Sequence, residues 1–549
     1  MTNVWQLRAI NRWRNSSRLV RLSTLAVSGL LVGAPVFFIL DRVFPLPLPD
    51  ENGGSTVVLA SDGSPLRAFA DADGVWRYPV TLDQVSPLYV DALLTYEDRW
   101  FYRHPGINPF ALARAMGQGI WHRRMVSGGS TLTMQVARIL AGTPHTVAGK
   151  FRQMLRAMQL EWHLSKHQIL TLYLNHAPFG GVIEGVEAAS WAYLGKSAQS
   201  LSQAEAALLT VLPQAPSRLR PDRHPEIARR YRDKVLDRMA ALGLWTQAQV
   251  HDARIEGVAA RSMRQPLLAA LLAERLRSEQ PGKRRIQTTI DASLQRAMEA
   301  RVSDYLSRFP ERTSAAVLVV DNATMAARAY VGSGGFGDDA RLGHVDMVRA
   351  WRSPGSTLKP FLYGLALDDG VIHSESLLID APQSFGDYRP GNFEMAYNGP
   401  VGAAEALRLS LNVPAVDLLD RVGPVRFAAR LANAGISFRL PRGVTPNLSV
   451  ILGGVGVRME DLVGAYAAFN REGIAGTVRY RDDQQSADRR VLSEGASWIV
   501  RSILEANPRP GYHAATFDPG SLPPVAWKTG TSYGFRDAWA MGSTPRFPG

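Results

Sequence analysis

From Leu22 to Leu40 the chain runs without a charged residue, and Arg8, Arg12, Arg14, Arg18 and Arg21 precede it before any acidic side chain appears. A helix of that length, rising about 1.5 Å per residue, spans a hydrocarbon core of about 30 Å. Asp41 closes the stretch. Arginines on its leading side predict a cytoplasmic N-terminus, with the rest of the chain beyond the cytoplasmic membrane. Signal peptides carry shorter apolar regions, and Val32-Gly33-Ala34 makes a weak cleavage site, so an uncleaved anchor is expected. Pro35 is compatible with a membrane helix.

The 549 residues exceed what one hydrophobic core supports, so two or three domains are expected. With 46% hydrophobic and 20% charged residues, the composition is that of a folded protein. Cysteine is absent, which excludes disulfides, thiolate nucleophiles and cysteine-ligated zinc. The net charge of +13 is partly carried by the arginine tail. No nucleic-acid-binding motif and no basic run interleaved with aromatics accompanies the remainder, so no nucleic acid partner is expected. A surface facing anionic headgroups and pyrophosphate suits it better.

Pro45 to Asp50 reads as a stiff, extended segment. Thr56 to Ala60 and Pro65 to Ala70 flank an Asp62-Gly63 turn, a hairpin signal. From Pro87 to about Leu244 the pattern is helical, with capping boxes at Ser165/Gln168 and Ser202/Glu205. Pro213, Pro216 and Pro221 break the pattern, and Ile227 to Met239 reads as a charged amphipathic helix, at the surface or in a linker. Near Arg284 the composition changes. Val317 to Val320 and Ala327 to Val331 form a second hairpin signal, Pro354 to Leu367 turns helical, and Val525 to Thr529 is strand-like.

Two sets of chemistry-bearing residues lie on this framework. The first runs from Glu97-Asp98-Arg99-Trp100-Phe101-Tyr102-Arg103-His104-Pro105-Gly106 to Gly128-Gly129-Ser130-Thr131-Leu132-Thr133-Met134-Gln135. The second is Ser356-Thr357-Leu358-Lys359, Ser410-Leu411-Asn412 and Lys528-Thr529-Gly530. Serine attacks a carbonyl only when a base takes its proton, and a lysine three residues on along a helix lies within reach. Partial neutrality of that lysine requires burial. Ser-x-x-Lys alone is common by chance; Arg352-Ser-Pro-Gly-Ser356-Thr-Leu-Lys359-Pro360 is far more specific.

The second set resembles the serine-acylating constellation of penicillin-binding proteins and β-lactamases. The first is similar to the donor-site motifs of peptidoglycan glycosyltransferases. A chain with both resembles a class A, bifunctional penicillin-binding protein, closest to the 1C subfamily. The resemblance implies a multidomain fold. One transmembrane helix would precede a mainly α, lysozyme-like glycosyltransferase domain and an α/β penicillin-binding domain, serine β-lactamase-like, with an antiparallel sheet. The expected division is a basic cytoplasmic tail at 1–21, the anchor at 22–40 and a linker with the hairpin at 41–75. The glycosyltransferase domain follows at 76–245, an interdomain linker at 246–313 and the transpeptidase domain at 314–549.

Carried over residue by residue, Glu97 is the base that deprotonates the acceptor sugar while a lipid pyrophosphate leaves. Asp98 and His104 shape its site, and Gly129, Ser130, Thr131, Gln135, Lys150 and Gln153 contact the donor. Lys166, Ile169-Leu170 and Tyr173-Leu174-Asn175 match the family's fourth motif. In the other half Ser356 is the nucleophile and Lys359 its base. Ser410 relays a proton, Asn412 and Lys528 hold substrate, and Thr529, Gly530 and Thr531 form the strand along which the peptide lies. The implied partners are lipid II and nascent glycan strands, stem peptides, β-lactams, the cytoplasmic membrane and other cell-wall synthesis proteins. No covalently bound cofactor and no protein-ligated metal is expected; Mg²⁺ or Mn²⁺ would arrive with the lipid pyrophosphate.

Three departures from the family pattern stand out. Asn108 replaces the usual aspartate, Gly149 the usual arginine, and Gln153 a second active-site glutamate. Glutamine cannot ionise, so it orients a phosphate, sugar or water without holding a metal as a carboxylate would. Residues 543–549 are proline-broken and strand-poor. The family's last interior strand is therefore expected to be missing, leaving unpaired edges and a destabilised, poorly active transpeptidase half. The competing readings are a catalytically impaired scaffold that binds lipid II or cell-wall partners, and a β-lactamase or carboxypeptidase, which the N-terminal motifs disfavour.

Overall fold

Short hydroxyl and amide side chains fix where many helices of this protein begin. The computed structural model describes residues 35–49, 55–114, 129–142, 146–257, 266–392, 396–508 and 523–545. The arginine tail, most of the apolar stretch and Gly128 lie outside the described residues. No described helix is long and apolar enough to cross a membrane. Two units emerge: the first holds residues up to Thr56 with Phe69–Gln265 and Gly282–Arg284, the second Val57–Ala68, Pro266–Pro281 and the chain from Arg285.

The first unit is helical. Ser165 accepts from the Gln168 amide while the Gln168 side chain accepts from the Ser165 backbone, and Ser202 with Glu205 repeats the exchange. These boxes satisfy donors that the first helical turn leaves unpaired. They open helices Lys166–His176 and Gln203–Val211. From Ala204 to Val211 every residue of the latter is buried, which makes it the central element of the unit. Helix Pro87–Glu97 and helix Pro225–Ala241 pack against it.

Helix Pro225–Ala241 is amphipathic as expected, and it packs within the unit rather than serving as a linker. Ala228, Arg232, Val235, Leu236 and Met239 form a buried stripe at helical spacing beneath its charged face. Arg232, only 2% exposed, donates to the backbone oxygens of Glu256 at 3.0 Å and Arg254 at 3.2 Å. Its charge thereby meets the electronegative end of helix Gln247–Ile255. Strands Trp76–Arg77, Ile183–Glu184 and Pro178–Gly180 complete the unit as a small mixed sheet.

In the second unit, Thr56–Leu59 pairs with Pro65–Phe69 and, in parallel, with Arg285–Gln287. The hairpin expected within the 41–75 linker thus groups, over residues 57–68, with the second unit. Two antiparallel ribbons follow, Val317–Val320 with Ala327–Val331 and Ala526–Thr531 with Ala538–Ser543. The resemblance implied one antiparallel sheet containing both. Among the described residues the ribbons remain separate two-stranded sheets, because no strand pairs with the second edge of Val317–Val320 or of Ala538–Ser543.

The core of this unit is built from helices Lys359–Asp368, Asn412–Val422, Met459–Tyr466 and Glu494–Glu505 and the ribbon residues Ala526, Trp539 and Met541. Phe361 has no solvent exposure, and its ring centroid lies 5.1 Å from that of Phe469 and 5.3 Å from that of Tyr466. Phe361→Ala should lower the unfolding free energy of this unit by about 3–5 kcal/mol in urea titrations followed by tryptophan fluorescence. A loss below about 1 kcal/mol would mean the core does not depend on that ring.

Candidate functional sites

Glu97 is the last residue of helix Pro87–Glu97 and is half-buried. Both of its carboxylate oxygens accept amide hydrogen bonds. Gln135 Nε2 donates to Oε2 at 2.7 Å and Gln214 Nε2 to Oε1 at 2.6 Å. Tyr89 and Tyr173 are buried near it. Burial, with further repulsion from Glu97, raises their hydroxyl pKa values, so both stay protonated.

Asp98 turns inward at the end of the same helix. Its carboxylate lies 3.0 Å from His104 Nε2 and accepts the Leu132 backbone N–H at 2.9 Å. That bond anchors the first turn of helix Leu132–Ala141, whose cap is the Thr131 hydroxyl. Thr131 Oγ1 also donates to the Gly106 oxygen at 2.5 Å. Gly106 itself has φ +83°, and a Cβ there would lie 2.8 Å from the Ala157 oxygen, so glycine is required on both counts. Asp98, His104 and Thr131 therefore hold the two motifs together from behind.

Lys150, on helix Val147–His163, donates to Ser130 Oγ and, at 3.4 Å, to Gln153 Oε1. Burial, with repulsion from Arg138, lowers the pKa of this amine. Gly129 is half-buried at the start of the same stretch. Residues of the fourth motif serve packing: Ile169, Leu170, Tyr173 and Leu174 are core, and Asn175 brackets the Val80 backbone with two 2.8 Å bonds. Lys166 donates to the His104 oxygen at 2.8 Å and pairs with Glu161 at 2.6 Å.

In the second unit, Ser356 sits in the short 3₁₀ turn Gly355–Leu358, directly ahead of helix Lys359–Asp368. Lys359 has no solvent exposure. Its Nζ bonds do not go to Ser356, as the helical spacing alone suggested, but to the second motif. The acceptors are Ser410 O at 2.7 Å, Asn412 Oδ1 at 2.8 Å and Leu411 O at 3.0 Å, with Ser410 Oγ at 3.5 Å. Burial, and then the charge of Lys528, holds its pKa well below the ordinary lysine value. Ser410 adopts φ 60°, a strained backbone for a residue with a side chain.

Lys528 and Gly530 lie on the buried face of strand Ala526–Thr531, while Thr529 and Thr531 are exposed. Burial pushes the Lys528 amine down to about 8. Gly530 is where the strand meets the serine turn, since a Cβ there would lie 2.5 Å from the Pro354 oxygen and 2.6 Å from Thr357 Cγ2. Trp539, on the neighbouring strand, donates its indole N–H to the Ser353 oxygen at 2.7 Å.

Residues 62–240 match the sequence family described as Transglycosylase, and residues 315–545 match the penicillin-binding protein transpeptidase domain. The chain is 53% identical over 527 residues to penicillin-binding protein 1C of Escherichia coli K12, which covers 94% of this chain and 67% of that protein. It is 29% identical over 513 residues to penicillin-binding protein 1F of Bacillus subtilis, with 86% and 70% covered. The chain belongs to the class A penicillin-binding proteins. It is a bifunctional peptidoglycan synthase with a glycosyltransferase domain followed by a transpeptidase domain.

Within this family frame, sequence reasoning missed Gln214, which holds one oxygen of Glu97 as closely as Gln135 holds the other. The proline pair Pro213 and Pro216 marked a helix end but gave no sign that the residue between would face the first motif. Also missed was Asn392, which accepts the Asn412 backbone N–H at 2.9 Å. Among the described residues no three His, Asp or Glu side chains cluster to hold a metal.

Gly530→Ala would push the strand off the serine turn. Acylation by a fluorescent penicillin should fall on the order of a hundredfold, the effect of an ångström-scale misplacement, while lipid II polymerisation persists. Normal acylation by this variant would show that the close approach is dispensable.

Proposed function

We propose that Glu97 is the general base of glycan polymerisation, with lipid II as donor. The observation that carries this reading is the pair of amides on its two oxygens. They fix the carboxylate's orientation while leaving it partly open to an acceptor hydroxyl. Lys150, Ser130 and Gln153 present an amine, a hydroxyl and an amide on the neighbouring elements, a set suited to pyrophosphate oxygens and a sugar. Asp98, His104 and Thr131 act by positioning, and Gly129 lets the chain approach the donor closely.

In the transpeptidase domain, Ser356 Oγ attacks the carbonyl of a D-Ala-D-Ala-type stem peptide. Its proton passes to the Lys359 amine, and the Ser410 hydroxyl gives its proton to the departing D-alanine amine while the Lys359 ammonium replaces it. An amine of a second stem peptide then takes the acyl group from Ser356. Burial, with repulsion from Lys528, holds the Lys359 pKa well below the ordinary lysine value, which favours the neutral amine that can take a proton. Asn412 and Lys528 hold the substrate, and Thr529, Gly530 and Thr531 offer the strand for it. Penicillins trap the same serine.

An N-terminal anchor with periplasmic catalytic domains is the topology that fits. Helix 35–43, the end of the apolar stretch, supports it by packing on helix Val147–His163, with Phe38 and Trp162 ring centroids 5.3 Å apart. Asp41, just past the stretch, meets His163 at 3.0 Å and Gln159 at 2.9 Å. Exposed Phe38, Ile39, Phe151 and Trp162 make this an apolar surface suited to the bilayer boundary.

Wild-type protein should polymerise labelled lipid II and Glu97→Gln should not, while Ser356→Ala should lose fluorescent penicillin labelling and keep polymerisation. Absence of polymer from wild type across metal and detergent conditions would favour the lipid II-binding scaffold, the reading that Gln153 supports. The pH dependence has a definite sign. Lys528 meets a substrate carboxylate as an ammonium, so apparent affinity for penicillin should weaken as pH rises from 7 to 9, through its pKa of about 8. Affinity that is flat over that range would remove Lys528 from the carboxylate.

A further inference from the structure

Asp380 ends strand Leu377–Asp380 with no solvent exposure, and no step of the acyl transfer uses it. A carboxylate buried without partners would be strongly destabilising. Here three donors surround it: Asn392 Nδ2 at 2.7 Å, Asn398 Nδ2 at 2.8 Å and the Asn398 backbone N–H at 2.9 Å. An ionised carboxylate only accepts, so it holds the NH₂ of Asn392 towards itself and turns the amide oxygen away. That oxygen accepts the backbone N–H of Asn412, the first residue of helix Asn412–Val422. The preceding Gly391 oxygen accepts Asn412 Nδ2 at 2.8 Å, which leaves Asn412 Oδ1 facing Lys359 Nζ at 2.8 Å.

We infer that Asp380 and Asn392 are positioning residues of the acyl-transfer site, holding Asn412 in the one orientation that offers its amide oxygen to Lys359. An asparagine amide turned over would set an NH₂ against the lysine amine, donor against donor. Gly391 and Asn392 block that rotation at the side chain and fix the backbone beneath it. Asp380 in turn fixes Asn392. Neither residue need touch substrate. Among the described residues, the other charged group that bears on Lys359 is Lys528.

This inference rests on Ser356, Lys359 and Asn412 acting as proposed above. With the full chain in detergent and a fluorescent penicillin as probe, Ser356→Ala must first abolish labelling. Labelling that persists would reject that underlying reading by itself. Asn392→Ala and Asp380→Asn should then slow acylation about tenfold, the scale of one lost hydrogen bond to a charged group. The acidic limb of the pH–rate profile should also move to lower pH, because the ammonium of Lys359 loses an acceptor that favours it. If Asn392 acts through Asn412, the Asn392→Ala/Asn412→Ala double variant will be no slower than Asn412→Ala alone; additive losses would overturn the proposal. Hydrogen exchange reads the same placement without turnover. The Asn412 amide should exchange faster in Asn392→Ala while later turns of its helix keep their protection. Unchanged exchange at Asn412, or protection lost throughout the unit, would equally count against a positioning role.

Discussion

Three oxygens converge on the Lys359 amine in a place water does not reach, and the geometry of the transpeptidase domain follows from that convergence. Two of them are the consecutive backbone carbonyls of Ser410 and Leu411, which an extended chain would point to opposite sides. The left-handed turn at Ser410 aims both at one amine, at a backbone cost of about 1–3 kcal/mol. The third comes from Asn412, placed where a helix begins. On the other side the Ala526–Thr531 strand approaches the serine turn so closely that position 530 has no room for a side chain. The buried Lys528 on that strand adds its charge to the desolvation that depresses Lys359.

The glycosyltransferase domain solves a related problem with the signs reversed. A buried carboxylate, Asp98, gathers a histidine and a helix N-terminus. The adjacent Glu97 faces the other way and is held by neutral amides. One acidic residue of the pair thus organises the site while its neighbour, on the proposed reading, stays available to react. The distinction arises because Asp98 lies beyond the helix end and turns inward, whereas Glu97 is still helical.

Local rules made part of this legible. The capping boxes at Ser165 and Ser202 depend on residues three apart, and both form where their spacing places them. Motif spacing likewise singled out Glu97, Ser356, Lys359, Asn412 and Lys528 as candidates. What could not be read depends on contacts far apart in sequence. Gln214 reaches Glu97 across 117 positions, and Asn392 reaches Asn412 across 20. Neither lies in a recognisable pattern, because a single amide gives no periodicity. The stripe of helix Pro225–Ala241 was legible from its period, but its packing within the unit rather than in a linker depends on helices distant in sequence. For Lys359 the helical spacing was right, yet the amine follows the better acceptors of the Ser410 turn.

Gln153 gains a physical meaning from this arrangement. A glutamate at that position would pair with Lys150 and neutralise it within the protein. Glutamine leaves Lys150 with a hydroxyl and an amide as partners, and no ion pair is formed by Lys150 among the described residues. On the proposed reading the lysine's charge then remains available for the departing pyrophosphate. Losing a carboxylate here is therefore not equivalent to losing the site. It removes one way of holding a divalent ion and shifts the burden of leaving-group charge onto an amine that burial has already made less willing to carry it.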